Sequence, residues 1–315
     1  YGPAKRWPAR HFAELARKVS RRGTPSTPVW AIGSAKDANI GAEIERLSDG
    51  AALPAVQADV VIACDGVNSA LRKQFYPHEK VAFAGINTWR GVTRHQPILS
   101  GKSYLRVGSI DTGKMVIYPI VDALDAHGTQ LINWVAEIKR DDARMNDWNQ
   151  GGAVGDFIDI FRDWHFDWLD VPALIRDAEQ ILEYPMVDKD PVPQWTFGRV
   201  TLLGDAAHPM YPRGSNGSAQ ALIDGRTLAD ELARLPTGTD PRTALKAYEM
   251  QRLPVTARIV ETNRSVPPDF INIKVDELSG GKPFGHIDEL ISQDELRQIS
   301  DNYKRIAGFS LDAVR

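Results

Sequence analysis

The sequence predicts an α/β fold in which buried parallel strands are interrupted by an inserted antiparallel sheet. Three observations carry that reading. An unbroken apolar run at 60–64 (Val60, Val61, Ile62, Ala63 and Cys64) and a second buried strand at 200–203 stop at Asp65-Gly66 and at Gly204-Asp205. An apolar run without alternation marks a strand covered on both faces, the habit of parallel sheets. Between the two strands, Ile132, Trp134, Ala136 and Ile138 alternate with Asn133, Glu137 and Lys139. A period of two belongs to an antiparallel strand with one covered face.

The elements follow in order. Residues 11–22 place Phe12, Leu15, Ala16 and Val19 on one face of an amphipathic helix, ended by Gly23, Pro25 and Pro28. Residues 29–32 (VWAI) read as a short strand, and 33–57 show no assignable period. After the first buried run, in which Cys64 reads as a small core residue, Asn68 or Ser69 can cap a helix through Leu71 and Phe75. GINTWRGVTR, KSYLRVG, KMVIYPIV and QLINWVAEIKR then read as strands separated by turns. Residues 153–163 read as a helix, followed by the aromatic cluster Trp164, Phe166 and Trp168. Residues 184–195 carry three prolines and read as a connecting loop. After the second buried strand come helices at about 217–235, 241–264 and 293–306. The layout divides the chain into a first α/β part (1–79), an inserted sheet (80–193), a return to α/β (194–264) and a helical tail (265–315).

Composition narrows the function classes. With 43% hydrophobic and 25% charged residues, the 315-residue chain belongs with soluble globular proteins rather than disordered or fibrous ones. A net charge of −3 supplies no general attraction to nucleic acid or acidic membrane. Cys64 is the only cysteine, which excludes an internal disulfide and a cysteine-based zinc site and favours a reducing compartment, the cytoplasm. No uncharged apolar run approaches the roughly 18 residues of a membrane helix.

The segment RVTLLGDAAHPMYPRGSNGSAQALIDG, residues 199–225, carries the chemistry. A strand delivers Asp205 to its carboxyl end, where open α/β sheets place their ligands. A carboxylate there can accept hydrogen bonds from sugar-like hydroxyls. Pro209 and Pro212 stiffen the following loop, Gly214 and Gly217 allow close backbone approach, and Ser215 or Asn216 can cap a long helix. The free N–H groups of that helix start favour an anion or a polarised oxygen.

This segment resembles the second flavin-binding motif of the class A flavoprotein monooxygenases, the aromatic hydroxylases: GDAAH at 204–208, then Pro212 and Gly214 before a helix. DVVIACDGVNSALR at 59–72 is similar to the same family's strand–Asp-Gly–Ser–Arg motif. PRGSNGSAQA, YPMVDKDP and TWRGV most resemble its phenazine and salicylate hydroxylase branch. The resemblance implies a Rossmann-like three-layer FAD-binding domain with an inserted substrate sheet. No GxGxxG occurs in the chain, so the domain reads as lacking its first βαβ unit. The cofactors implied are FAD and NAD(P)H, the co-substrate O2, and the substrate a small aromatic ring.

By that resemblance, Asp205 with Gly204 binds the ribityl hydroxyls, Pro212 with Gly214 lies against the isoalloxazine, and the amides of Ser215, Asn216 and Gly217 face its pyrimidine edge. Asp65, Gly66 and Arg72 serve the groove for FAD and the nicotinamide. Trp89, Arg90, Tyr118 and Trp134 line the substrate pocket, with Tyr211 at the flavin side. His208 reads as structural rather than as a base, and Arg213 as solvent-facing. No catalytic side chain or metal site is expected, since the flavin carries the chemistry. The alternatives are a flavin reductase or halogenase on the same fold, or a flavoprotein remnant without catalysis.

Overall fold

Strand β1 (Val29–Ala31) pairs in parallel with β2 (Ala52–Pro54). The computed structural model describes residues 59–140, 150–265 and 270–306, together with Arg46 and the backbone of these two strands. The helix expected at 11–22 lies outside the described residues. β3 (Val61–Ala63) follows, and then α1 (Ala70–Phe75), whose N-cap Ser69 accepts a hydrogen bond from Arg72 N–H at 2.9 Å. The described chain forms two compact units, divided at Val81/Ala82, Val187/Asp188 and Thr262/Asn263.

The second unit is built on a long antiparallel sheet. β4 (Ala82–His95), β5 (Leu105–Ser109), β6 (Gly113–Val121) and β7 (Gln130–Lys139) lie in the order β5-β6-β7-β4. Trp89 stands opposite Ala136, Gly91 opposite Trp134, and Ile117 opposite Trp134. Directly paired residues share a face, so Trp89, Trp134, Met115, Ile117 and Ile132 all point to one side. That side is the core of the unit, packed with Phe157, Phe161, Leu174 and Ile175. A Cβ on Gly91 would sit 2.3 Å from the Trp134 ring, so the indole lies where only glycine leaves room.

β8 (Gln150–Gly151) is followed by two short 3₁₀ turns, Val154–Asp156 and Ile158–Phe161, where a single helix is expected from sequence. Phe157, at φ −145°, breaks the run, and the break lets both Phe157 and Phe161 enter the core. The small β9 (His165–Phe166) and β10 (Leu169–Asp170) pair as a hairpin before α2 (Val171–Arg176). β11 (Gln180–Asp188) then fills the sheet between β4 and β8. The loop expected at 184–195 therefore begins only after Asp188. Pro185 is tolerated because β8 pairs only with Leu182 and Glu183, so the β8 side of the strand has no ladder left at residue 185.

Returning to the first unit, β12 (Thr196–Phe197) is antiparallel to β13 (Val200–Leu202), and β13 is parallel to β3, with Leu202 opposite Ala63. Helix α3 (Gly217–Arg234) buries Gln220, Asp224 and Leu228, four residues apart on one face. Helix α4 runs Arg242–Ser265. The core here is Ala63, Trp195, Leu202, Ala206, Leu228, Leu245 and Tyr248. β3 departs from expectation. Ala63 is buried, but Ile62 is 37% exposed and Cys64 is exposed, so the described residues cover only one face of the strand. Helices α5 (Phe270–Ser279) and α6 (Gln293–Ile306) belong to the second unit, where Asn272 donates to Gly108 O at 3.0 Å.

Candidate functional site

In the first unit, β13 delivers the chain to Gly204, whose φ of +62° suits glycine. A 3₁₀ turn, Gly204–Ala206, then carries the half-buried Asp205. The N–H groups of Ala207 and His208 both close on Gly204 O, at 2.8 and 2.9 Å. A second turn, Pro212–Gly214, leads to Ser215, a non-glycine residue in the left-handed region at φ 53°. Its cost of order 1 kcal/mol marks a backbone held for a purpose. Asn216 stands at the N-cap of α3, but its side chain makes no capping bond. A Cβ on Gly217, the first residue of this 18-residue helix, would lie 3.8 Å from Asp205 Oδ1, so the carboxylate stands beside the helix's positive end.

A half-buried carboxylate beside a helix start, with Pro212 and Ser215 exposed at its rim, suits a ligand that has hydroxyl donors and an electron-rich edge. Those are the properties of a ribityl-isoalloxazine. The residues present therefore fit FAD, and the expected positions Gly204, Asp205, Pro212, Gly214, Ser215, Asn216 and Gly217 are brought to one short stretch of backbone. Tyr211 adjoins it and is 7% exposed.

Behind this turn lies a buried polar network that the sequence did not announce. Asp224 Oδ2 meets His208 Nε2 at 2.5 Å and accepts from Gly204 N–H at 3.2 Å. Its Oδ1 accepts from Arg252 Nε at 2.7 Å, and Arg252 also donates to Gln220 at 2.6 Å. Burial alone would raise the Asp224 pKa, but the His208 and Arg252 contacts outweigh it and hold the carboxyl below the ordinary aspartate value. His208 is tied to the turn twice, through Nε2 to Asp224 and through its own N–H to Gly204 O. That makes it a brace for the turn, as expected from sequence.

Arg72 takes a different place from the expected one. It is fully buried, and all five of its N–H groups meet protein oxygens. Nε and Nη2 bond Glu79, Nη1 donates to Ala206 O at 3.1 Å and Ala207 O at 2.5 Å, and Nη2 donates to Asp190 O at 3.0 Å. No donor is left for a cofactor. Arg72 instead clamps the backbone that follows Asp205. Gly66 turns at φ +81°, and Asp65 Oδ2 accepts from Ala70 N–H at 2.8 Å at the start of α1.

In the second unit, the sheet separates the expected substrate residues. Trp89 and Trp134 are 1% and 0% exposed on the apolar face, and Trp134 Nε1 donates to Thr93 Oγ1 at 3.0 Å. They are core residues, not linings, because strand parity puts them opposite Arg90. The other face is polar. Arg90 Nε donates to Asn133 Oδ1 at 2.6 Å, and Nη2 lies 3.4 Å from Tyr118 Oη. Tyr184 lies within the influence of the Arg90 charge as well. Burial raises its phenol above the usual range, against the pull of the guanidinium. Beside them, Lys114 and Glu137 form a buried pair at 2.8 Å. Asn133 and Tyr184 were not among the expected residues, although Asn133 sits in the polar register of the alternation.

Residues 173–263, which include the whole Gly204–Gly217 stretch, match the family described as FAD binding domain. Over 224 residues the chain is 40% identical to phenazine 1,6-dicarboxylic acid hydroxylase PhzS of Lysobacter antibioticus, covering 70% of this chain and 54% of that protein. The chain is thus similar in sequence to named aromatic-ring hydroxylases, and part of it matches an FAD binding domain. It is 34% identical to 3-amino-4-hydroxybenzoate 2-monooxygenase PtmB3 of Streptomyces platensis, across 71% of this chain and 54% of that one. Among solved structures, a salicylate hydroxylase substrate complex matches with TM-score 0.58 at 19% identity, covering 86% of this chain and 74% of that one. HpxO of Klebsiella pneumoniae, complexed with FAD and uric acid, matches with TM-score 0.54 at 20% identity, over 82% and 58%. At those identities the structures show a shared fold. The chain spans about half the length of the curated relatives it matches. Among the described residues no helix is long and apolar enough to cross a membrane.

Proposed function

We propose that the protein is an FAD-dependent monooxygenase that uses NAD(P)H and O2 to hydroxylate an aromatic or heteroaromatic acid. The observation that carries this reading is the turn at 204–217, where Asp205 stands beside the start of α3 within the family match. Bound there, the flavin supplies hydride acceptance and oxygen activation. This chain's own residues bind and orient. Asp205 accepts ribityl hydroxyls, Pro212 lies against the ring, and the amides of Ser215, Asn216 and Gly217 face its pyrimidine edge. Gly204 and Gly214 shape the backbone, Asp65 and Gly66 border the cofactor groove, and Arg72 holds the 206–207 carbonyls in place.

Arg90 and Tyr118 are proposed to meet substrate, and Tyr211 to stand at the flavin side. The named substrates of the two relatives above are carboxylated rings, which supports an acid. The domain reading is a three-layer FAD-binding domain assembled from 1–79 and 194–264, with a substrate domain at 80–193 and a helical tail at 265–315. The single cysteine supports a cytoplasmic location.

The test is flavin absorbance of the purified protein after equilibration with FAD, followed by NAD(P)H oxidation with aryl carboxylates. Stoichiometric flavin and substrate-stimulated oxidation are expected, with label from isotopic O2 entering the product. Asp205→Ala is expected to weaken FAD by at least about tenfold, the scale of a lost charge-assisted hydrogen bond. Absence of label in the product would leave a reductase or halogenase in its place.

A further inference from the structure

The polar face of the sheet holds a cation without a counter-ion. Arg90 is half-buried, and its hydrogen-bond partners are neutral: the Asn133 amide at 2.6 Å and the Tyr118 hydroxyl at 3.4 Å. The nearby carboxylate of Glu137 is taken by Lys114 at 2.8 Å. No carboxylate pairs with Arg90 among the described residues. A buried guanidinium ordinarily finds one, because desolvation penalises an unpaired charge.

Asn133 carries a second signal. Arg90 Nε can only donate, so the Asn133 amide must present Oδ1 to it. That fixes Nδ2 on the other side of the amide, and Nδ2 is buried with no acceptor, in a residue 1% exposed. Native proteins rarely bury an unmet donor, and each instance calls for an explanation. An unpaired cation and an unmet donor on one side-chain pair lack the same thing, which is an anionic oxygen.

We propose that Asn133 is a positioning and specificity-determining residue. It fixes the Arg90 guanidinium by its Nε edge, leaving the Nη groups to take a carboxylate on the substrate ring, and its own Nδ2 donates to that same carboxylate. Tyr118, stacked on Tyr104 at 5.4 Å between ring centroids, offers a flat aromatic surface to the ring that bears it. The proposal rests on the reading of the protein as a hydroxylase of aromatic acids, and assigns to this chain the residues that read the acid.

The experiment is equilibrium binding of two probes to the FAD-loaded full-length protein by calorimetry: phenazine 1,6-dicarboxylic acid and unsubstituted phenazine. The wild type is expected to bind the dicarboxylate at least tenfold more tightly. Asn133→Ala is expected to remove at least that factor for the dicarboxylate and to change phenazine less than twofold. Asn133→Asp, of the same shape, keeps the acceptor for Arg90 Nε but replaces the donor with a negative charge. It is expected to lose the dicarboxylate by a larger factor while still binding phenazine, which also shows that the variant is folded. Equal loss of both probes, or unchanged preference in both variants, overturns the proposal. A wild type with no preference for the dicarboxylate overturns it too. The flavin reading is judged separately, by the absorbance of bound FAD.

Discussion

Trp89 and Arg90 are neighbours in one strand, and the difference in their surroundings shows how much a single step of register decides. Trp89 stacks on Phe157 at 4.9 Å in the core, whereas Arg90 joins Asn133 and Tyr118 on the opposite face. Truncating a buried aromatic costs about 3–5 kcal/mol through lost burial and the cavity left behind. Trp134→Ala is therefore expected to lower unfolding stability by about that much. Trp134→Phe should fold with a smaller loss and bind aryl carboxylates with unchanged affinity, measured by denaturant titration and by calorimetry. A selective loss of ligand binding in Trp134→Phe would return that tryptophan to the pocket. Arg72 is the other residue whose surroundings redefine it. Breaking its buried pair with Glu79 costs about 3 kcal/mol or more. Lys189, 3.1 Å from Glu79, moderates the loss by keeping one cation beside that carboxylate. Arg72→Lys cannot span the Glu79, Asp190 and 206–207 oxygens together. Its thermal melt should fall and its FAD affinity should weaken, although no flavin atom need touch residue 72.

At the scale of elements, the Gly204–Ala206 turn and α3 are joined through Asp224, and the joint is acid-sensitive. Its folded pKa lies below the ordinary aspartate value of 3.8, because the contacts with His208 and Arg252 outweigh burial. A depressed carboxyl contributes stability that is fully present above the unfolded value and is lost as pH falls through the folded one. Melting temperature should thus fall more steeply below about pH 4 in the wild type than in Asp224→Asn. At neutral pH the variant should already be destabilised by about 3–5 kcal/mol, since Arg252 stays buried without its partner. Parallel acid slopes in the two proteins would show that Asp224 does not carry the effect. The elements themselves were largely legible. Local composition marked the helices now seen at 217–234, 242–265 and 293–306, and apolar residues marked β3 and β13. The alternation of Ile132, Trp134 and Ile138 contained the face assignment too, because parity alone places Trp134 with the core and Asn133 opposite. Other features depend on distant partners. The Arg72 clamp closes on carbonyls more than 130 residues away, and Pro185 sits within a strand only because β8 stops short of it. Neither is encoded in a local window of sequence.

For the whole molecule, the two units hold separate cores that share no residue. One gathers Leu202, Trp195 and Tyr248, and the other gathers Ile132, Trp134 and Phe161. Each core is large enough to unfold cooperatively, and a chain with two such cores need not melt as a single two-state system. The calorimetric unfolding enthalpy is therefore expected to exceed the van't Hoff enthalpy. Leu202→Ala and Ile132→Ala both delete fully buried aliphatic side chains, each worth about 2–5 kcal/mol. The first should shift one calorimetric component and the second the other. Saturating FAD should raise the component that Leu202→Ala lowers, because a ligand stabilises the unit that binds it by mass action. If both substitutions shift one common transition by the same amount, the cores unfold together, and the flavin turn draws its rigidity from the whole chain rather than from the unit that carries it.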